Sequence, residues 1–214
     1  MRRRLLSAAM CLALLACLAA AAVRADGTGF TDVEERSYYS EAVRWAVAQG
    51  VTTGTSPTTF SPHDICTRGQ VVTFLWRVKG QPEPLSSQNV FADVPAGSYC
   101  EKPVMWAVEQ GITVGTSEEP KEFSPNRECT YAEIITFLWR ANGRPTPEFI
   151  SEMTRNWPEG TYYKDAVTWG DNEALFEDEG GEFIPGALCT RARTVAWLYL
   201  DWLRAFGRAP AGVA

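Results

Sequence analysis

Beyond its first 25 residues, the chain places apolar side chains at helical spacing rather than in strict alternation. Ala42, Val43, Ala46 and Val47 make one stripe, which predicts an amphipathic helix from about Tyr38 to Gln49 with Gly50 as its stop. From Val51 to Cys66 the chain is rich in Thr, Ser, Gly and Pro and reads as a long loop. Thr67-x-x-Gln70 then fits a capping box, and Val71, Phe74, Leu75 and Val78 supply the buried face of a second helix. The unit is helix, loop, helix, and the fold class expected is all-α.

The pattern recurs at a period of 60 to 63 residues. Phe30-Thr31-Asp32-Val33 returns as Phe91-Ala92-Asp93-Val94. Ala42-Val43-Arg44-Trp45 returns as Pro103-Val104-Met105-Trp106 and as Ala166-Val167-Thr168-Trp169. Gly50-Val51-Thr52-Thr53-Gly54-Thr55 returns as Gly111-Ile112-Thr113-Val114-Gly115-Thr116. Phe60-Ser61-Pro62 returns at Phe123 and Phe183, and Cys66-Thr67-Arg68 at Cys129-Thr130-Tyr131 and Cys189-Thr190-Arg191. Repetition on this scale marks units that bury their apolar faces on one another. Three copies suggest a closed pseudo-threefold cluster, with a linear stack as the alternative. The divisions expected are a leader over 1–25, repeats over 26–84, 85–147 and 148–206, and a tail over 207–214. Pro103 is compatible with its helix only in the first turn.

Charge and cysteine content narrow the function. Arg2, Arg3 and Arg4 precede an apolar run from Leu5 to Val23 that closes on Val23-Arg24-Ala25, the form of a cleaved export signal. Leu14-Leu15-Ala16-Cys17 also fits a lipoprotein box, but the apolar run continues past Cys17, which favours cleavage after Ala25. Removing the four leader arginines takes the formal net charge from −6 to −10. So acidic a chain, without a basic stripe, argues against nucleic acid as a partner. No membrane span is expected in the mature chain. Cys66, Cys100, Cys129 and Cys189 lack CxxC spacing and His63 is the only histidine, so neither a metal site nor a cofactor is expected. The column of Cys66, Cys129 and Cys189 reads as small buried packing residues facing Val71, Ile134 and Thr194, with a disulfide to Cys100 as the alternative.

These columns resemble the S-layer homology family. Its pattern is aromatic-x-Asp-Val, Ala-Val-x-Trp-Ala, Gly-apolar-x-x-Gly, Phe-x-Pro, then Thr-Arg-Ala-Glu opening a helix. The resemblance covers about residues 30 to 205. It implies a pseudo-threefold trimer of repeats within one chain, whose grooves bind secondary cell-wall polysaccharide, often through a pyruvylated sugar. It also implies a location on the cell wall or cell surface.

The ligand-binding residues expected are Arg68, Arg191, Thr67, Thr190, Asp32, Asp93, Gly54 and Gly115. A pyruvate ketal carries a carboxylate, and Thr67-Arg68 and Thr190-Arg191 each set a guanidinium at a helix N-terminus, which favours anions. Gly54 and Gly115 would let a ligand approach the backbone. Asp32 and Asp93 read first as caps of the first helix or its preceding turn. Trp45, Trp106 and Trp169 read as core rather than as sugar platforms. Tyr131 replaces the motif arginine in the second repeat, and Arg193 breaks the third capping box. The third repeat also lacks the glycine pair and carries the acidic run Glu177 to Glu182. One good groove is therefore expected, with a second at most. Arg68 is the preferred ligand contact because its own repeat is the most complete. No paired carboxylates mark a glycosidase, and no catalytic triad or phosphate loop is present. The function expected is a non-catalytic envelope protein that holds wall polysaccharide, with no attached cargo domain visible in the sequence. The alternatives are a structural component that packs on other chains, or a glycan-active enzyme.

Overall fold

The computed structural model describes residues 28–86, 88–176 and 183–206. The segment expected to be an export leader, the acidic run from Glu177 to Glu182 and the tail lie outside them. Among the described residues six helices carry the fold: α1 (Ser40–Ala48), α2 (Arg68–Val78), α3 (Glu101–Glu109), α4 (Tyr131–Ala141), α5 (Lys164–Asn172) and α6 (Arg191–Phe206). A two-residue antiparallel pair, Ser117–Glu118 with Lys121–Glu122, decorates the second loop.

Local chemistry sets the helix ends. Thr67 and Thr130 accept from the backbone N–H groups of Gln70 and Glu133, whose side chains accept in return from the N–H groups of the two threonines. These reciprocal bonds satisfy donors that would otherwise be orphaned. Thr190 keeps half of the device, accepting from the Arg193 N–H at 3.2 Å. Pro103 falls in the first turn of α3. The helices α1, α3 and α5 begin without any side-chain cap.

Helix partners do not come from within a repeat. The most extensive packing joins α2 to α3, α4 to α5, and α6 back to α1. The second helix of each repeat thus covers the first helix of the next, and α6 on α1 closes the ring. That closure rules out the linear stack.

The axis is marked by three backbone bonds of equal length. The Cys66 N–H donates to the Cys189 carbonyl, Cys129 to Cys66 and Cys189 to Cys129, each at 2.9 Å. One contiguous core follows, with Trp45, Trp106 and Trp169 buried in it. Their burial supports the packing reading over sugar stacking. The four cysteines among the described residues are buried thiols, not disulfides. Burial pushes the Cys66 thiol up to about 11 and raises those of Cys100 and Cys129, so none of these three is a ready nucleophile. No helix among the described residues is long and apolar enough to cross a membrane.

Candidate functional site

The ring brings the motif arginines into neighbouring repeats. Arg68 inserts between Phe123 and Phe137 of the second repeat, its guanidinium carbon 4.8 and 5.1 Å from the ring centroids. Arg191 inserts between Phe60 and Phe74 of the first repeat, at 4.9 and 5.4 Å. Each Nε–H donates at 2.9 Å to the carbonyl of the first of these phenylalanines. Both arginines are only 3% exposed. Burial lowers both guanidinium pKa values, yet arginine keeps its charge under such conditions. The aromatic faces and the carbonyl replace part of the lost hydration.

Two grooves of about 560 Å³ each open onto these stacks. The first is formed by the Thr52–Thr55 loop and the exposed side of α2, with Arg191 entering from the third repeat and Tyr99 from the second. The second is its pseudo-symmetric copy. It has the Thr113–Thr116 loop, the side of α4, Arg68 from the first repeat and Tyr162 from the third. Arg68 therefore does not share a groove with the glycine of its own repeat: it joins Gly115, and Arg191 joins Gly54. A repeat's own completeness says nothing about the groove its arginine serves.

The third position of the ring follows the same plan with different chemistry. Tyr131 occupies the arginine socket and packs on Phe183 and Trp197, centroids 5.8 and 5.2 Å apart. Tyr131 therefore packs into the third repeat and not into its own. The space there, about 490 Å³, is lined by Tyr38, Ala196 and Leu200, which hold the columns of Tyr99, Thr73 and Arg77. Arg193 lies over the Tyr38 ring at 4.4 Å. Two grooves offer a cation from the motif column and the third does not.

Other expected site residues have structural duties. The Asp32 carboxylate accepts from the Phe60 and Ser61 N–H groups, both at 2.8 Å, and Asp93 accepts from Phe123 and Ser124. Each aspartate pins the loop where Ser61 and Ser124 adopt positive φ. They cap no helix and line neither groove. Gly54 and Gly115 do line the grooves, but their necessity is internal. At φ +86° and +104°, an added Cβ would lie 2.4 and 2.5 Å from the Thr59 and Glu122 carbonyl oxygens and as close to the Phe30 and Phe91 rings.

The helix N-termini are also committed. The N–H groups of Arg68 and Gly69 donate to the Arg127 and Pro125 carbonyls, and those of Arg191 and Ala192 to Asp64 and Pro62. These amides are closed to an anion, which leaves the guanidinium itself as the donor.

Several lining residues escaped the sequence reading. Arg77 and Arg140 repeat in one column, and each donates to a carbonyl of its own repeat, Val51 and Ile112, at 3.0 Å. Tyr99 and Tyr162 repeat in another, at 57% and 58% exposure. Their recurrence in register was the available signal. Asn126 also lines the first groove, beside Thr67, which the sequence reading did name.

The S-layer homology domain model matches residues 29–72 and 90–135. The chain is 31% identical over 120 residues to a cell surface protein of Thermoanaerobacter kivui, covering 54% of this chain and 16% of that protein. It is 32% identical over 171 residues to an endoglucanase of Bacillus sp. (strain KSM-635), covering 77% of this chain and 18% of the relative. The chain thus spans less than a fifth of either relative. Two matched repeats, joined in a closed ring by a third that keeps the same socket and axis, make this chain a member of the S-layer homology family.

Proposed function

We propose that this cell-envelope protein holds an acidic cell-wall polysaccharide in its two arginine-floored grooves and leaves the polymer chemically unchanged. The observation that carries the reading is the buried guanidinium at the floor of each groove, delivered by a neighbouring repeat and held between two phenylalanine rings. A planar donor so fixed suits a carboxylate, such as that of a pyruvate ketal, because little rotamer entropy remains to be lost on binding. Threonines 52, 53 and 55 in one groove, and Thr113, Thr116 and Ser124 in the other, supply hydroxyls for sugar hydrogen bonds. The exposed rings of Tyr99 and Tyr162 offer flat apolar faces at the mouths.

A hydrolytic reading lacks its machinery in these grooves. Glycosidases place two carboxyl groups across the scissile bond. No acid lines the first groove, and Glu133 alone lines the second.

Co-sedimentation with purified, protein-free cell walls tests the proposal. The protein is expected to pellet with intact walls and to stay in solution when ketal pyruvate has been removed. Equal pelleting with both preparations would remove the carboxylate from the reading. Release of reducing sugar would overturn its non-catalytic part.

A further inference from the structure

The two grooves are near copies in volume, yet they treat their buried guanidinium differently. In the second groove the Arg68 Nη1 donates to Glu133 Oε1 at 3.1 Å. The exposed Arg127 contacts the same carboxylate through both terminal nitrogens, and the Thr130 N–H completes the set. Arg68 thus already holds a carboxylate, and that carboxylate belongs to the protein.

In the first groove the corresponding helix position is Gln70, whose side-chain oxygen accepts from the Thr67 N–H at 3.2 Å. Arg191 spends its Nε–H on the Phe60 carbonyl. Its terminal nitrogens have no acceptor among the described residues, although the side chain is almost fully buried and lines the groove. Asp32 and Asp64 lie near enough to offset part of its burial cost, but neither lines the groove. The terminal nitrogens of Arg191 are not sealed inside the protein, so they open onto the groove where a ligand can meet them.

We propose that the third residue of the second helix, Gln70 in α2 and Glu133 in α4, decides which groove accepts the polymer's acidic group. The Arg191 groove takes the carboxylate, and the Arg68 groove takes an uncharged stretch of the same chain. The inference rests on the wall-polymer reading above. Net charge does not make the distinction, because Arg77 and Arg191 face no acid in one groove while three arginines face Glu133 in the other. What differs is that the Arg68 guanidinium already faces a carboxylate of the protein, whereas no described carboxylate reaches the terminal nitrogens of Arg191. In the second groove an incoming carboxylate would meet Glu133 as a like charge at the approach to Arg68.

Both residues close a capping box, so exchanging them tests charge without removing the cap. The probe is a methyl hexoside bearing a pyruvate ketal, titrated calorimetrically into the full chain, with the ketal-free hexoside as control. The parent should show one ketal-dependent site that disappears in Arg191→Ala and persists in Arg68→Ala. Gln70→Glu should weaken that site at least tenfold, and Glu133→Gln should add a second site. Two equivalent sites in the parent, or unchanged binding by Gln70→Glu, would overturn the groove assignment while leaving the wall reading intact. The same holds for loss of the site in Arg68→Ala instead of Arg191→Ala. Failure to bind both the ketal hexoside and the walls would bring down the wall reading and this inference together.

Discussion

Arg191 and Tyr131 stand in the same column of the repeat and fill the same kind of socket. Arg191 lies between Phe60 and Phe74, Tyr131 between Phe183 and Trp197. Both place a planar group between two aromatic rings, and both helices donate their first two N–H groups to the loop of the following repeat. The socket therefore serves assembly first: any planar side chain of the right reach will lock one repeat onto the next. On the proposed function, recognition is a second layer, confined to sockets that hold a guanidinium and, in the first groove, to the side lined by Thr73 and Arg77. In the third groove Ala196 and Leu200 replace them, and the site has become packing.

If the socket is an assembly joint, a repeat without its neighbours should not fold. The first repeat buries its own α1 under α6 of the third, and its socket waits for Arg191. A fragment of residues 26–84 should be largely unfolded by circular dichroism, because so short a chain exposes most of the surface it needs to bury. An independent, cooperative thermal transition in that fragment would break the comparison at its root.

Within the intact ring the third socket should be the more demanding of packing. Trp197 is fully buried and touches Tyr131, Phe176 and Phe183. Trp197→Ala should cost about 3–5 kcal/mol of stability in urea unfolding, the range for deleting a large buried aromatic. Trp197→Phe should cost much less. It restores the residue found at Phe74 and Phe137, and it removes an indole N–H that has no acceptor among the described residues.

How much of this was legible follows from what a repeated column can and cannot say. The capping boxes at Thr67 and Thr130, the Gly50 stop, Pro103 in a first turn and the buried tryptophans all rest on local periodicity, and the sequence carries them openly. Column matching also exposed Tyr131 and Arg193 as departures. It could not say whose groove they enter, because a column records what each repeat contains and not which neighbour receives it. Arg68 was accordingly matched with Gly54 instead of Gly115. The aspartates failed differently. Asp32 bonds backbone amides 28 and 29 residues away, and no local pattern distinguishes that from a helix cap. The opposition of Gln70 and Glu133 was visible only as two acceptable capping residues, since its meaning depends on a guanidinium from another repeat.

The layers should separate energetically as well. Arg191→Ala is expected to weaken wall binding by about 1.5–3 kcal/mol, the range for a hydrogen bond to a charged group. Arg191→Lys should recover part of that, since an ammonium cannot form the planar pair. Asp32→Ala should reverse the emphasis. It strips acceptors from the Phe60 and Ser61 N–H groups, costing stability by a similar ~1.5–3 kcal/mol, while any binding loss follows from loosening of the loop. Guanidinium denaturation of both variants beside wall co-sedimentation distinguishes the two.

The smallest effect concerns Asp201, which stands on α6 where α2 and α4 carry Val78 and Ala141. Its carboxylate accepts from the Asn142 side chain at 2.9 Å. Burial raises its pKa above the usual carboxylate value, against the lowering effect of that bond and of Lys79. The sign follows from linkage. A carboxyl that binds its proton more tightly in the folded chain favours folding below its unfolded pKa. That contribution is lost as pH rises through the raised folded value, so at neutral pH the charged group is a burden. Asp201→Asn keeps an oxygen for the Asn142 donor and removes the charge. It should raise the melting temperature slightly at pH 7, and the gap to the parent should close as pH falls through the carboxylate range. A gap that widens on acidification would show that the carboxylate is favoured by the fold, and that this departure of the third repeat stabilises the ring instead of straining it.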